Sequence, residues 1–326
     1  MRVQFPLLAL SRFVITGSRA VLKTVVEKSI GGSSPSAGVK EFKMKKYVLS
    51  IGAIFKNEGP YLREWIEYHR MVGVEHFYLY NNDSTDDYQQ SIGDYVNNGI
   101  VSLFNIPGEK VQTQAYNHCL KIAKEESIWL AIIDLDEFII PKDKTTIPET
   151  INEILGRANE RMSIMDGFSL SMVAGVQLCW VYYGTSFHID PPNGLVLENY
   201  LNRIRLEDND NWCKCIYYTD HIDTIINPHF TIPKDGKIFI DENSDYVPIC
   251  ARSMTTKAKH LYVNHYTSRS YNEHVYKLTQ RGWADGLQIT QERVEKLLDQ
   301  GQYQFNEVYD PTTLRYVPAL KNRLGL

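Results

Sequence analysis

Apolar, β-branched stretches alternate with segments of helical periodicity from residue 47 onward, and this alternation constrains the fold of the chain most strongly. The sequence YVLSIGAIF at residues 47–55 predicts a buried strand, and similar stretches follow at residues 76–80, 100–104 and 129–134. Helices are predicted between them, the first beginning at Pro60 and ending at Gly73. Four strands separated by three helices imply parallel pairing through right-handed crossovers, and therefore an α/β fold with helices on both faces of the sheet.

Polar clusters follow three of these strands, at residues 56–58, 81–87 and 134–137. Ligands of such sheets bind beyond the carboxyl ends of the strands, so we expect the three clusters to converge on one crevice. Beyond about residue 160 the alternation fades into aromatic-rich segments such as CWVYYG and WCKCIYY. These segments predict strands and loops that form a second half of the same domain.

Three acids interrupt an apolar stretch in AIIDLDEFIIP, residues 131–141. Asp134 and Asp136 are two apart, so on a strand they would point the same way while Leu135 returns to the core. Two like charges on one face require a neutralising partner, and Mg²⁺ typically takes one or two carboxylates together with phosphate oxygens. The alternative is a solvated strand end, although a purely structural turn uses Gly or Asn more readily.

Neither of the common glycine-rich phosphate loops occurs near the first strand. A P-loop and an ordinary dinucleotide site are therefore disfavoured. Paired acids without such a loop suit an enzyme acting on a nucleotide diphosphate sugar, because a metal ion offsets the charge of the leaving diphosphate. Asn82 and Asp83 are expected either to contact the base or ribose, or to form an Asx turn that caps the next helix.

A series of motifs follows in order along the chain. They are FKNE (55–58), YNNDSTDD (80–87), YNHC (116–119), DLDEF (134–138), WVYYGTSFH (180–188), WCKCIY (212–217), NPHF (227–230) and VNHYTSRSYNEHVYKLTQRGWADG (263–286). This series resembles the family 2-like and family 92 group of GT-A glycosyltransferases, and the order of the motifs is more specific than any single one. The match extends over roughly residues 47–286, with Tyr183 in place of a usual Phe and Phe187 in place of a usual Gly.

The resemblance implies a GT-A type fold, with a Rossmann-like, mostly parallel sheet and an aromatic-rich acceptor side. We expect a catalytic domain at residues 46–290, divided into a nucleotide-binding half (46–140) and an acceptor half (141–290). A basic leader with a Gly/Ser linker precedes it at residues 1–45, and a helical extension follows at residues 291–326.

The resemblance also assigns residues to the site. Asp134 and Asp136 match the Asp-x-Asp pair that holds Mn²⁺ or Mg²⁺ and the donor diphosphate, and His265 matches a histidine that completes the metal or diphosphate shell. The positions that match nucleotide-facing or phosphate-neutralising residues are Asn57, Glu58, Asn82, Asp83 and Lys214.

Family 92 members invert the anomeric centre, so the resemblance implies a carboxylate that deprotonates the acceptor hydroxyl. Asp190, just after the aromatic stretch, is the first candidate for this base, and Glu198 is the second. Trp180, Tyr182 and Tyr183 are candidates for stacking on a sugar.

Charge is distributed unevenly along the chain. Residues 1–46 contain nine Lys or Arg against two Glu, a charge of +7, so the rest of the chain carries −11 of the total of −4. An acidic body argues against nucleic acid as a partner, whereas the basic leader suits peripheral contact with an anionic membrane surface. The five cysteines are an odd number and thinly spread, which favours reduced thiols and, without an evident membrane anchor, a cytoplasmic enzyme.

The sequence therefore favours a metal-dependent glycosyltransferase that moves a hexose from a nucleotide diphosphate sugar to the hydroxyl of a glycan or lipid-linked acceptor. Three alternatives stay open. A glycoside hydrolase would need two separated carboxylates, a nucleotidyltransferase would also use paired acids and a metal, and a binding module would keep the fold without turnover.

Overall fold

The computed structural model describes residues 44–162, 168–209, 212–248, 252, 258–281, 290–292, 295–296 and 305–326. The chain divides between Lys46 and Tyr47, and the architecture below is that of the second unit. Nearly all of the expected leader lies outside the described residues. In the part of the chain that is described, every helix is too short or too polar to cross a membrane.

The first half alternates strands and helices, as the sequence predicts, and its four strands and three intervening helices are confirmed. A fifth strand and a fourth helix follow. The elements are β1 (Tyr47–Phe55), α1 (Gly59–Met71), β2 (His76–Asn81), α2 (Tyr88–Asn97), β3 (Val101–Asn105), α3 (Gln112–Glu126), β4 (Ser127–Ile132), β5 (Glu137–Pro141) and α4 (Ile147–Met162).

The second half consists mainly of strands and loops, again as expected. Its strands are β6 (Val173–Tyr182), β7 (Asn202–Arg203), β8 (Cys213–Tyr218), β9 (Ile222–Asn227), β10 (Phe230–Pro233), β11 (Ile238–Asp241), β12 (Tyr246–Val247), β13 (Leu261–His265) and β14 (Val308–Tyr309). Its α-helices are α5 (Val196–Asn199), α6 (Tyr271–Tyr276) and α7 (Val317–Leu324), and a π-helical turn, Lys277–Arg281, follows α6.

Ten of the described strands form one sheet, in which the order β12-β11-β6-β8-β4-β1-β2-β3 is extended by β13 beside β6 and by β5 beside β13. β1 is parallel to both β2 and β4, and β2 is parallel to β3. β8 is antiparallel to both β4 and β6 and so joins the two halves. The expected α/β class with a mostly parallel sheet is confirmed.

The two faces of β1 pack against different helices. Leu49 and Ile51 share a core with Trp65 of α1, whereas Ile54 shares a second core with Cys119 of α3. Alternation along the strand thus places α1 and α3 on opposite faces. The expectation of helices on both faces is confirmed.

Gly52 allows α3 to approach β1 closely. A Cβ at this position would lie 2.5 Å from Cys119 Sγ and 2.7 Å from Ile132 Cδ1, well inside van der Waals contact. Because α3 lies this near, its Tyr116 reaches the carboxyl end of β4, where its hydroxyl donates to Asp134 Oδ1 at 3.1 Å. The glycine therefore helps to position a group in the site.

The end of the chain packs on the same unit. Leu320 of α7 is fully buried, and Arg323 pairs with Glu67 of α1 at 2.8 Å. Upstream, β14 pairs with β7. The described part of the expected extension thus supports α1, which leads directly from the first strand-end loop.

Candidate functional site

The acids of the site lie in a turn. β4 ends at Ile132, and the backbone N–H of Glu137 donates to the carbonyl of Asp134 at 3.1 Å, where β5 begins. The expectation that Asp134 and Asp136 lie on one strand and point to the same face was wrong, because the chain turns here so that β5 can pair with β13. Leu135 is buried between them, as expected.

Asp134 contacts a buried lysine of β8. Lys214 Nζ lies 2.9 Å from Asp134 Oδ2 and 3.5 Å from Glu137 Oε1, and none of its side chain is exposed. Burial opposes the charged form of Asp134, but Lys214 outweighs it and lowers the pKa of Asp134. Lys214 thus lies beneath the acids and neutralises them, and it has no exposed atoms with which to meet a phosphate.

Asp136 is held from two sides. Its carboxylate lies 3.5 Å from His265 Nε2 and 2.5 Å from Lys277 Nζ. Burial alone would raise the pKa of Asp136, but Lys277 and His265 together hold it well below its usual range. The backbone N–H of Tyr266 also donates to the Asp136 carbonyl at 2.8 Å, which fixes the turn against the end of β13.

Asp136, Glu137 and His265 form a group that suits a metal ion. One ligand atom from each lies within 4.8 Å of the others. Glu137 and His265 are directly opposite in the β5–β13 register, so the pairing of these strands creates the group. Asp134 adjoins it through Glu137, whose Oε2 accepts the backbone N–H of Asp134 at 3.0 Å.

The donor atoms fit a hard divalent cation. His265 Nδ1 is buried without a hydrogen-bond partner, and Glu137 Oε1, also buried, makes no hydrogen bond and has only the Lys214 ammonium at 3.5 Å. Carboxylates with one imidazole are ligands that Mn²⁺ accepts. Burial raises the pKa of Glu137 well above its usual range, with Lys214 opposing and the charge of Asp134 adding to the rise. A bound cation would offset that penalty. Glu137 is the third acid of the sequence AIIDLDEFIIP, but its spacing from the other two did not indicate that it belongs to this group.

The loops after β1 and β2 meet, as the predicted crevice requires. Asn57 adopts a positive φ of 55°, and its Oδ1 accepts the backbone N–H of Thr85 at 2.8 Å. Glu58 is buried and pairs with Arg269 at 2.8 Å. Asn57 therefore joins two strand-end loops, while Glu58 orients an arginine from beyond β13.

Asn82 and Asp83 hold a third loop in place. Asn82 Nδ2 donates to the carbonyls of Ile106 and Gly108, both at 2.8 Å, and Asp83 Oδ2 accepts the Gly108 N–H at 2.9 Å. The alternative that they cap the following helix was wrong, because the N-cap of α2 is Asp87. Both residues order the loop after β3, at the same edge of the sheet.

The two candidate bases occupy different surroundings. Asp190 is exposed and accepts a hydrogen bond from Asn272 Nδ2 at 2.6 Å, at the start of α6. Glu198 accepts the backbone N–H of Leu195 at 2.9 Å and pairs with Lys321 at 2.6 Å. Both carboxylate oxygens of Glu198 are thus engaged in holding α5 and α7, whereas Asp190 stays open to solvent.

Two cations in the site were not indicated by the sequence motifs. Arg269 and Lys277 line a crevice together with Asn57, Glu58 and Asp136. The only local signal near them is the Ser-x-x-Glu pattern just after Arg269, and in the structure Ser270 and Glu273 form a capping box at the start of α6. The proximity of the two cations to Asp136 depends on contacts between distant parts of the chain.

The sequence model of glycosyltransferase family 92 matches residues 45–308. The chain belongs to glycosyltransferase family 92. The matched segment begins just before β1 and contains every site residue described above. The resemblance to family 92 stated from the motifs is thereby confirmed, and the mostly parallel α/β sheet agrees with the class of fold that it implied.

Curated relatives carry the same family name. A family 92 protein of Arabidopsis thaliana is 39% identical over 94 residues, which is 28% of this chain and 16% of that protein. Another, of Ricinus communis, is 26% identical over 183 residues, covering 56% of this chain and 30% of that protein. The chain thus matches less than a third of the length of these relatives.

Two solved structures show distant similarity to the family 92 chain. TarS of S. aureus is 13% identical with a TM-score of 0.33, covering 77% of this chain and 69% of that one. Glucosyl-3-phosphoglycerate synthase from Mycobacterium tuberculosis, solved with Mn²⁺ and UDP, is 15% identical with a TM-score of 0.27, covering 43% and 46%.

Proposed function

We propose that this chain transfers a hexose from a nucleotide diphosphate sugar to a hydroxyl of a glycan or lipid-linked acceptor, with inversion, and that it requires Mn²⁺ or Mg²⁺. The observation that carries the proposal is the grouping of Asp136, Glu137 and His265 at the carboxyl ends of the strands. Membership of family 92 supports the transferase class. The basic segment at residues 1–46, with its charge of +7, supports an acceptor that is presented at an anionic surface.

Asp136 and His265, with Glu137 or Asp134, are the residues that would hold the metal. When bound, a divalent cation supplies positive charge to the diphosphate as it leaves. The residues around it keep the acids in place: Lys214 neutralises Asp134 from beneath, and its ammonium lies 5.5 Å from the Trp180 ring. Such a preformed site needs little rearrangement when charge develops on the donor.

The donor occupies the crevice between the loop after β1 and the segment after β13. Asn57 and Arg269 lie on its two sides. Arg269 is fixed by Glu58 and lies over the Tyr61 ring, 3.6 Å from its centroid. A guanidinium that is held in this way presents its remaining N–H donors to phosphate oxygens without losing side-chain entropy on binding.

The acceptor sugar lies against an aromatic wall beside the metal group. The rings of Trp180 and Tyr182 lie 4.2 Å and 5.4 Å from that of His265, centroid to centroid. Tyr182 is half-buried, whereas Trp180 and Tyr183 are buried, so Tyr182 is the ring of this wall that a sugar can reach. A partly exposed aromatic face suits the apolar face of a sugar ring.

Asp190 is the proposed base for the acceptor hydroxyl. Inversion requires one carboxylate that removes the proton while the diphosphate leaves from the other side of the ring. The exposure of Asp190 and the engagement of both Glu198 oxygens favour Asp190 over Glu198. The carboxylates of the metal group are buried or paired with lysines.

Product analysis tests this function. Purified protein is incubated with Mn²⁺, UDP-, GDP- or CMP-sugars and a panel of glycans, with the released nucleotide identified by chromatography and the new linkage by NMR. We expect that one donor releases its nucleotide part only when the acceptor is present. We also expect the product to have an inverted anomeric configuration. Release of pyrophosphate, or cleavage of glycans without a donor, would contradict the proposal in favour of a nucleotidyltransferase or a hydrolase.

The base assignment has its own control. Asp190→Asn should lower kcat by about 10²–10⁴-fold while the KM for the donor stays near wild type. Asp223→Asn removes another exposed carboxylate, on β9, and should leave kcat unchanged. Equal rates for the wild-type protein and Asp190→Asn would exclude Asp190 as the base.

A further inference from the structure

We propose that Lys277 is an exchangeable counter-ion: its ammonium holds Asp136 in the metal-free protein and moves to the donor diphosphate when a divalent cation takes that carboxylate. This inference rests on the proposed function and names a residue that acts on both metal and donor. The contacts of Lys277 carry this inference: its Nζ lies 2.5 Å from Asp136 Oδ2 and 3.2 Å from the carbonyl of Thr267.

Metal and lysine compete for the same carboxylate. Asp136 Oδ1 faces His265 Nε2 at 3.5 Å, and Oδ2 faces the Lys277 ammonium. A cation shared by Asp136 and His265 would lie a few ångströms from this ammonium, in a largely buried setting where like charges repel strongly. Metal binding therefore expels the ammonium from its place on Asp136.

Lys277 differs in mobility from the other two cations of the site. The Lys214 side chain has no exposed surface and lies between two carboxylates. Arg269 is clamped between Glu58 and the Tyr61 ring. The Lys277 side chain is 17% exposed and lines the crevice. A flexible four-carbon chain with an accessible ammonium can change partners at low cost.

The backbone around Lys277 is anchored, so movement is confined to the side chain. Lys277 is the first residue of the π-helical turn that follows α6, and turns of this type occur frequently at functional sites. His274 and Leu278, on either side, are buried. The crevice that Lys277 enters also contains Asn57 and Arg269, which places the released ammonium where the donor phosphates are expected.

Removing the charge should therefore have opposite effects on two ligands. In Lys277→Met, Mn²⁺ alone should bind about tenfold tighter or more, because its competitor for Asp136 is gone. Pyrophosphate in saturating Mn²⁺ should bind about tenfold more weakly, because a phosphate contact is lost. A residue with only a structural role would weaken both ligands or neither.

The experiment measures free Mn²⁺ by electron paramagnetic resonance in a titration of the metal-free protein, and then titrates manganese pyrophosphate by calorimetry. Lys277→Met is compared with wild type and with Lys144→Met, which removes a half-exposed lysine paired with Glu153. Lys277→Gln carries the same test should Lys277→Met fail to fold. Lys277→Arg, which keeps the charge, should stay close to wild type for both ligands.

Two failures are distinguishable. Mn²⁺ binding in wild type that is unchanged or weakened in both Lys277→Met and Lys277→Gln would overturn the exchange while leaving the metal site intact. Absence of Mn²⁺ binding in wild type and in both variants would overturn the metal dependence of the proposed function, and the exchange with it.

Discussion

The ammonium of Lys214 lies 2.9 Å from a carboxylate oxygen of Asp134, although no part of the lysine side chain is exposed. Burial lowers the pKa of a lysine, but Asp134 and Glu137 outweigh that effect and raise the pKa of Lys214. The lysine therefore stays charged. The acids of this family 92 chain are thus assembled around an internal positive charge before any ligand arrives.

Removing that charge should destabilise the fold. Lys214→Met leaves Asp134 and Glu137 without their common partner, and loss of one member of a buried ion pair costs about 3–5 kcal/mol. We expect about 3 kcal/mol, because Asp134 is partly exposed, measured as the free energy of unfolding in urea. Lys237→Met, which removes a partly exposed lysine bonded to the Ser171 carbonyl, is the control. A loss under about 0.5 kcal/mol, the usual range for surface changes, would contradict the structural role of Lys214.

Acid should weaken the fold through His69. This buried histidine of α1 bonds the Trp65 carbonyl at 2.9 Å and accepts the Ile139 N–H at 3.3 Å, and burial lowers its pKa to about 3. Between pH 6.5 and 3 the unfolded chain binds a proton that the folded chain does not, so stability falls as pH falls, by about 1.4 kcal/mol per unit.

The measurement is the free energy of unfolding at pH 7, 6 and 5 for wild type and His69→Gln. We expect the stability of wild type to decline more steeply than that of the variant below pH 6.5, because glutamine does not titrate. Parallel pH profiles for the two proteins would show that His69 is already protonated or exposed in the folded state.

A methyl group on Gly52 should act on the site through α3. The added Cβ would meet Cys119 Sγ at 2.5 Å and Ile132 Cδ1 at 2.7 Å, so these buried side chains must move, and any shift of α3 that accompanies them carries Tyr116 away from Asp134. We expect Gly52→Ala to cost about 1–3 kcal/mol, as overpacking does, and to weaken Mn²⁺ binding.

Gly93→Ala is a matched control. It adds the same methyl in α2, where nothing lies within 4 Å, and alanine there should stabilise the helix by about 0.5–1 kcal/mol. Cys119→Ala combined with Gly52→Ala should restore part of the stability. Equal stabilities of Gly52→Ala and wild type would mean that α3 does not pack as closely as the structure shows.

Local pattern in the sequence was sufficient for the parallel half of the sheet. β1 matches the predicted strand residue for residue, because its apolar run ends in the polar residues Lys56, Asn57 and Glu58. The start of α6 at Ser270 is also determined locally, because a capping box involves residues three apart. Both elements depend on residues that are close in sequence, and a local sequence pattern contains that information.

The turn that contains Asp134 and Asp136 depends on the pairing of strands that are far apart in sequence. The local sequence pattern therefore did not predict it. Asp134 and Asp136 leave the strand because β5 pairs with β13, which brings Glu137 opposite His265, more than 120 residues away. The pairing of Glu58 with Arg269 is separated by 211 residues. The topology of the fold decides which charged residues meet over such separations. Sequence spacing alone therefore did not predict where Glu137, Arg269 and Lys277 lie.

The most direct test is the thermal stability of wild type and Asp136→Asn, each with UDP-, GDP- and CMP-sugars, in Mn²⁺ or in chelator. A ligand that binds the folded protein raises its stability by mass action. Asp94→Asn, which changes an exposed acid of α2, is the control. We expect one donor to stabilise wild type and Asp94→Asn only when Mn²⁺ is present, and not to stabilise Asp136→Asn. An equal shift in chelator or in Asp136→Asn, or no shift with any donor in folded wild type, would contradict a metal-dependent sugar-nucleotide site.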